Sequence, residues 1–415
     1  MTIADEVLGN VKIVDCDSHF TEPADLWSSR TPAKFAEKMP VMKTVDGVTS
    51  WFMNGELWAS TGGNTIRTGA EKTRGRISLQ PFDEIDKASW DVAARLELID
   101  AMGIYAQILY PNGIGFNSNH VMAIEDKDLR LAVLQTFNDF NVDVQQESGD
   151  RLFPQPILPV YDMDLTVREM TRLIDKGVRG FTVSDKPELM DLPELPDPYF
   201  APMWDLFNES RAVVNFHISS GNRPEKAPPI PNQIGDRAKT QRTVGKQVLD
   251  PYWESFGPQR KLALGSTLSY MSNARIINNF CMSDMFDRYP NLKVVSAESG
   301  IGWIPFLLEA LEWQLDEFVT DPGERSLQQR RPTEYFRDHI FATFWFETVG
   351  PTKLIEDVGV NNVLVETDIP HPTCLYPGGK EHLASVMANW DPAMRKRVLQ
   401  DNAAEIYRLP IPDIG

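Results

Sequence analysis

A short apolar run that ends in polar residues lies near the start of the chain, at Val11–His19 (VKIVDCDSH). The apolar part predicts a buried strand, Val11–Val14, and side chains two positions apart lie on the same face of a strand. Asp17 and His19 would therefore emerge side by side at the carboxyl end of this strand. A carboxylate and an imidazole are both ligands for Zn²⁺, Mn²⁺ or Fe²⁺. The run predicts one corner of a metal site on a parallel sheet.

Seven more apolar runs alternate with longer amphipathic stretches, and each predicts a strand. They are Ala106–Tyr110, Phe153–Val160, Val178–Val183, Ala212–Phe216, Leu292–Ala297, Ile340–Phe344 and Asn362–Glu366. Strands that alternate with helices form a parallel sheet, and eight such units make a closed barrel. An open doubly wound sheet would carry a glycine-rich loop after its first strand, but residues 17–23 contain no glycine. We expect one α/β domain over residues 1–415, a distorted (β/α)₈ TIM barrel.

Two stretches are longer than ordinary connections. Arg30–Trp90 is predicted to be an insertion, and its Asn54-Gly55 pair predicts the turn of a β-hairpin. Ser219–Gly265 is rich in proline and glycine and is predicted to be an active-site loop. Both stretches follow the carboxyl ends of predicted strands, which is the face where barrel enzymes build their sites.

The charge balance and the cysteine content exclude several classes of protein. The chain carries 41 basic and 59 acidic residues, a net charge of −18, so it would repel nucleic acid and anionic membranes. Three cysteines are too few for a disulfide framework, and we see neither a signal peptide nor an apolar run of 18 residues. We expect a cytoplasmic protein with a small-molecule substrate and neither nucleic acid nor membrane as partner.

Ligand-type residues also end two other predicted strands. His217 ends the fifth strand, and Asp368 ends the eighth. In a closed barrel the first and eighth strands are neighbours, and all carboxyl ends meet at one mouth. Two neutral imidazoles and two carboxylates would offset the charge of a divalent cation. The sequence therefore predicts a metal site formed by Asp17, His19, His217 and Asp368.

These motifs resemble those of the amidohydrolase superfamily, in particular its amidohydrolase-related branch. That branch includes aminocarboxymuconate-semialdehyde decarboxylase and γ-resorcylate decarboxylase. The resemblance runs from Val11 to about Tyr407 and rests on Asp17–His19 with Glu22-Pro23, His217, Tyr289–Val295 (YPNLKVV) and Glu366–Pro372 (ETDIPHP). It implies a distorted barrel with one or two metal ions at the strand ends, and a dimer or higher oligomer.

One residue departs from the family pattern. Family members commonly carry a histidine after the sixth strand, and Glu298 occupies that place here. Glu298 is predicted to be a general base, a further metal ligand or a carboxylate that bridges two metals. The alternative is that Glu298 caps the following helix. His371, Glu22, Trp345 and His120 are predicted to contact the substrate or to support the ligands.

The resemblance makes a metal-dependent hydrolase the default function. An activated water would attack a small carboxylated or cyclic substrate, and Asp368 or Glu298 would move the proton. Three alternatives stay open: a non-oxidative decarboxylase of an aromatic or related acid, a dinuclear iron or manganese oxygenase, and a degenerate partner subunit. Zinc is the first choice of metal, with manganese or iron as alternatives.

Overall fold

The fold is a barrel of eight parallel strands surrounded by helices, as the sequence predicts. The structure is a computed structural model that describes residues 2–79, 81–220 and 256–412. The barrel strands are β1 (Ile13–Phe20), β2 (Ile104–Pro111), β3 (Leu152–Pro154), β4 (Gly180–Thr182), β5 (Val213–His217), β6 (Val294–Ala297), β7 (Ile340–Phe344) and β8 (Val363–Val365). Their spatial order is β3-β2-β1-β8-β7-β6-β5-β4. A parallel bridge between Ile157 and Thr182 joins the two ends of this order, so the sheet closes.

The helices lie mainly between the strands. The α-helices are Ile3–Leu8, Leu26–Arg30, Val92–Met102, Asn119–Met122, Lys127–Glu147, Met163–Asp175, Ala201–Ser210, Pro258–Ser269, Ala274–Cys281, Met285–Arg288, Ile304–Phe318, Pro322–Arg325, Pro332–His339, Ile355–Val358, Gly379–Val386, Pro392–Lys396 and Asn402–Tyr407. Short 3₁₀ or π turns cover Ala33–Phe35, Phe82–Glu84, Lys87–Ser89, Pro187–Met190, Pro198–Phe200, Gly350–Leu354, Val360–Asn362 and Arg397–Asp401. Aspartate caps begin several of the helices, and Asp91 accepts a hydrogen bond from the backbone N–H of Ala94.

The predicted loop at Ser219–Gly265 needs a correction. Residues 221–255 lie outside the described part of the chain. The last residues of the predicted loop belong to the helix Pro258–Ser269, which begins with a proline at its first turn. Proline fits there because the first helical N–H groups have no partner within the helix.

The insertion forms its own small antiparallel sheet. Its strands are Val41–Val45, Val48–Met53 and Glu56–Ser60. The predicted hairpin turn is confirmed, because Asn54 and Gly55 have φ values of 51° and 83°, as a tight hairpin turn requires.

The barrel interior is closed at its amino-terminal end by the carboxy-terminal helix Asn402–Tyr407. The hydroxyl of Tyr407 donates to Asn215 Oδ1 at 2.5 Å, and the hydroxyl of Tyr110 donates to the same atom at 3.1 Å. All three side chains are buried. This leaves the carboxyl ends of the strands as the face for a functional site. Within the described residues, no helix is both long and apolar enough to cross a membrane.

A β-bulge interrupts β1 at the predicted ligand Asp17. The pairing with β2 passes from Asp15 opposite Gln107 to Ser18 opposite Leu109, so β1 has one extra residue there. A bulge of this kind reverses which side chains face inward. The predicted first strand ends too early, since Asp17 lies within the observed strand.

Candidate metal centre

Four side chains from three strands meet at the mouth of the barrel. His19 Nε2 lies 3.6 Å from Asp17 Oδ1 and 3.4 Å from Asp368 Oδ1. His217 Nε2 lies 3.4 Å from Asp17 Oδ2. All four side chains are buried. The structure thus brings together the four residues that the sequence predicts as ligands.

The two imidazoles are oriented by backbone carbonyls. His19 Nδ1 is 3.1 Å from the carbonyl oxygen of Pro111, and His217 Nδ1 is 2.7 Å from that of Ile218. A carbonyl accepts only, so each Nδ1 carries the proton and each Nε2 presents a lone pair to the cluster. Metal-binding histidines are commonly held in this way.

Several polar atoms of the cluster have no hydrogen-bond partner among the described residues. They are both carboxylate oxygens of Asp17, and Nε2 of His19 and of His217. Leaving such atoms buried and unpaired costs free energy, and each is an acceptor that a cation would satisfy. Nitrogen and oxygen donors in this number fit Zn²⁺, Mn²⁺ or Fe²⁺. The residues present therefore fit a divalent metal ion.

Burial and mutual repulsion change the acidity of these groups. Burial, with the nearby charges of Glu366 and Asp368, raises the pKa of Asp17 well above its ordinary value. Burial lowers the pKa of His19 from 6.5 to about 4 and that of His217 further below its ordinary value. Burial opposes ionisation of Asp368 too, but His371 and His19 outweigh it and lower the pKa of that carboxyl. Both imidazoles are therefore neutral, as metal ligands must be.

Glu298 faces the same cluster from the end of β6. Its Oε2 lies 3.2 Å from His217 Nε2. Glu298 has a left-handed φ of 50°, and its backbone N–H donates to Glu366 Oε2 at 3.1 Å. The alternative of a helix cap is wrong, since the next helix begins at Ile304 and the side chain points to His217. Burial and the charges of Asp368 and Glu366 raise the pKa of Glu298 well above its ordinary value.

His371 stands beside the ligands. Its ring stacks on that of His19 with 3.6 Å between the ring centroids, and its Nδ1 lies 2.9 Å from Asp368 Oδ1. His371 also lines the cavity described below. This position agrees with the predicted contact to substrate or to the ligands.

Three of the predicted site residues lie away from the cavity wall. The carboxylate of Glu22 accepts hydrogen bonds from the backbone N–H groups of residues 112–114 and so anchors the loop after β2. Trp345 is buried behind Tyr270, with the ring centroids 5.0 Å apart. His120 packs edge-on against Trp58 at 6.0 Å. Their positions give them structural roles, because each is used in packing or in holding a loop.

A cavity of about 580 Å³ opens above the cluster. Its wall combines Glu298 and His371 with apolar groups of Phe116 and Tyr270. Arg76 from the insertion also lines it, and the described residues offer this guanidinium no ion-pair partner. A volume of this size is typical of small-molecule sites.

The sequence alone did not indicate three of the groups around the site: Arg76, Tyr270 and Glu366. Glu366 directly follows β8 and is buried. Its Oε1 has no hydrogen-bond partner among the described residues. A signal for Glu366 existed, since it alternates with Asp368 after an apolar strand. No comparable signal marks Arg76, which lies in an irregular part of the insertion.

The fold and the cluster define a metal-binding barrel enzyme. Residues 14–409 match the family model for amidohydrolases, so the chain belongs to the amidohydrolase family, and the resemblance seen in its motifs is confirmed. It is 24% identical over 331 residues to γ-resorcylate decarboxylase from Polaromonas sp. strain JS666, covering 76% of this chain and 86% of that protein.

Solved structures share this fold. An amidohydrolase from Mycobacterium avium subsp. paratuberculosis K-10 superimposes with a TM-score of 0.65 at 18% identity, over 96% of this chain and 99% of the other. A dihydroxybenzoic acid decarboxylase from Polaromonas sp. JS666, which was solved with manganese and 2-nitroresorcinol, gives a TM-score of 0.57 at 17% identity. That match covers 97% of this chain and 98% of the decarboxylase.

Proposed function

We propose that this enzyme is a metal-dependent, non-oxidative decarboxylase of a small carboxylated compound, with a hydroxylated aromatic acid as the substrate class. The observation that carries the proposal is the cavity, whose wall contains Arg76 together with Glu298 and His371, two residues that lie beside the ligand cluster. The match to a γ-resorcylate decarboxylase over most of both chains supports the same reaction.

The cavity suits a flat, anionic substrate. Phe116 and Tyr270 offer aromatic surface on which a ring can pack. The carboxyl group of Glu298 and the nearby cluster carboxylates would repel an anion, and Arg76 is the cation in the described wall that can offset this repulsion. An arginine binds a carboxylate with two parallel hydrogen bonds, which also fixes the orientation of the substrate.

The reaction requires a bound divalent ion and a proton donor. Asp17, His19, His217 and Asp368 would hold the ion, which supplies positive charge for the substrate oxygens. When the bond between the ring carbon and the carboxyl carbon breaks, its electron pair stays on the ring carbon. CO₂ leaves, and that carbon takes up one proton. Glu298 lines the cavity next to His217, so we assign Glu298 as the acid that delivers this proton.

Manganese is the metal that we propose, because the decarboxylase with the same fold was solved with it. Zinc, which was the first choice from the sequence, is the alternative metal, and the dimer stays a prediction. Hydrolysis by the same cluster is the competing outcome, in which Glu298 or Asp368 would act as a base toward water.

The experiment is a substrate panel with the manganese-loaded enzyme in D₂O. γ-Resorcylate and 5-carboxyvanillate represent the acids, and an aryl ester, a lactone and an anilide represent hydrolysis. We expect one CO₂ for each decarboxylated product and one deuterium at the carbon that carried the carboxyl group. An Asp368→Ala variant is the control for background reaction. Cleavage of the ester, lactone or anilide without CO₂ release from either acid would contradict the proposal.

A further inference from the structure

Asp15 is fully buried two residues before Asp17, but its carboxylate does not join the ligand cluster. Its Oδ1 accepts hydrogen bonds from the backbone N–H groups of Thr367 at 2.8 Å and Asp17 at 3.3 Å. Its Oδ2 accepts from Ser18 Oγ and from Gln107 Nε2, both at 2.7 Å, and from Thr367 Oγ1. One carboxylate thereby links β1, β2 and the segment that follows β8.

The position of Asp15 coincides with the bulge in β1. Cys16 belongs to the apolar core inside the barrel, and in a regular strand Asp17 and His19 would then face outward. The bulge between positions 15 and 18 reverses this alternation, so that both ligands face the interior. A bulge leaves a backbone N–H outside the regular ladder, and Asp15 Oδ1 accepts that of Asp17.

Asp15 also joins the two strands that supply neighbouring ligands. Regular pairing between β1 and β8 is confined to Asp15 opposite Val365. Beyond this point the backbone N–H of Asp368 donates to the carbonyl of Asp17 at 2.8 Å. The two hydrogen bonds from Thr367 to Asp15 hold the residue directly before Asp368. Asp15 therefore adds side-chain hydrogen bonds to the backbone hydrogen bonds that set the spacing between the β1 and β8 ligands.

Arg95 balances the charge of this network. It is fully buried, and its Nη1 donates to Gln107 Oε1 at 3.1 Å, while Gln107 Nε2 donates to Asp15. Arg95 Nη2 donates at 2.8 Å to the carbonyl oxygen of His19. Arg95 thereby joins Gln107, which binds Asp15, to the backbone of the ligand His19.

We propose that Asp15 is a positioning residue of the metal site: it fixes the bulge that turns Asp17 and His19 inward and sets their distance from Asp368. This inference rests on the metal site of the proposed function, but not on the reaction. Groups of this kind, which hold the ligands without touching the metal, typically change metal affinity 10- to 100-fold when they are replaced.

The test compares Asp15→Asn and Thr367→Val with the wild type by Mn²⁺ titration and by the visible absorption spectrum of the Co²⁺ form. An amide of the same size offers an N–H where Asp15 accepts hydrogen bonds, whereas Thr367→Val removes one hydroxyl donor. The matched control is Asn362→Asp, an equally small change at a buried amide at the opposite end of β8. Circular dichroism and thermal unfolding report on folding.

We expect about 10- to 100-fold weaker Mn²⁺ binding and an altered Co²⁺ spectrum for Asp15→Asn, and a smaller loss for Thr367→Val. The control should lose stability only. Wild-type affinity and spectrum in folded Asp15→Asn would overturn the inference. If Asp15→Asn does not fold, an unchanged affinity and spectrum in Thr367→Val overturn it. A wild-type protein that binds no divalent ion would overturn the proposed function as well.

Discussion

Glu298 Oε2 lies 3.2 Å from His217 Nε2, so the carboxyl group at the end of β6 faces the predicted metal ligand at the end of β5. Glu298 therefore offers a carboxyl group both to the cluster and to the cavity that it lines. A carboxyl group can donate a proton when it is protonated and can bind a metal when it is ionised, and a substitution can distinguish these roles.

Glu298→Gln should retain the metal and lose turnover. Glutamine keeps the size of the side chain but cannot transfer a proton, and such a loss typically lowers kcat about 10²- to 10⁴-fold. The measurement is kcat for CO₂ release together with the metal content of the same sample. Glu309→Gln, at an exposed position of the helix Ile304–Phe318, is the control. Unchanged kcat would exclude Glu298 as the acid, and loss of the metal would assign it as a ligand.

Arg76→Met should weaken substrate binding more than it affects the chemical step. A hydrogen bond to a charged group contributes about 1.5–3 kcal/mol, so we expect KM to rise about tenfold or more. Arg74→Met is the matched control, because Arg74 lies two residues away and does not line the cavity. Equal KM values for both variants would show that Arg76 does not bind the substrate carboxylate.

His120 should make stability depend on pH. Burial lowers its pKa from 6.5 to about 4, so the folded state favours the neutral ring. The stability from this residue is then complete above pH 6.5 and is lost as the pH falls toward 4. In metal-free protein, the melting temperature should fall less between pH 7 and pH 4 for His120→Gln than for the wild type. Parallel curves for the two proteins would contradict this effect.

The sequence predicted the barrel and the side chains that cluster at its mouth better than the details that orient them. The apolar runs and the polar residues after them were enough to find the eight strands, because both follow from simple alternation along the chain. Alternation could not reveal the bulge in β1, since a bulge depends on the pairing with β2 and on the hydrogen bonds of Asp15.

The sequence also could not predict which residues line the cavity. Trp345 and His120 follow strands and so looked like wall residues, but packing against Tyr270 and Trp58 turns them away. Arg76 reaches the cavity because of how the insertion folds over the barrel mouth, and no local pattern encodes that path.

The metal content of the purified protein tests the central claim most directly. Elemental analysis of the wild type and of His217→Ala and Asp368→Ala, with folding checked by circular dichroism, provides the comparison. We predict one divalent ion per chain in the wild type and less than a tenth of that in either folded variant, because each variant removes a ligand from the cluster. Full metal content in the variants would contradict the site, and two iron ions per chain in the wild type would contradict the decarboxylase in favour of a dinuclear oxygenase.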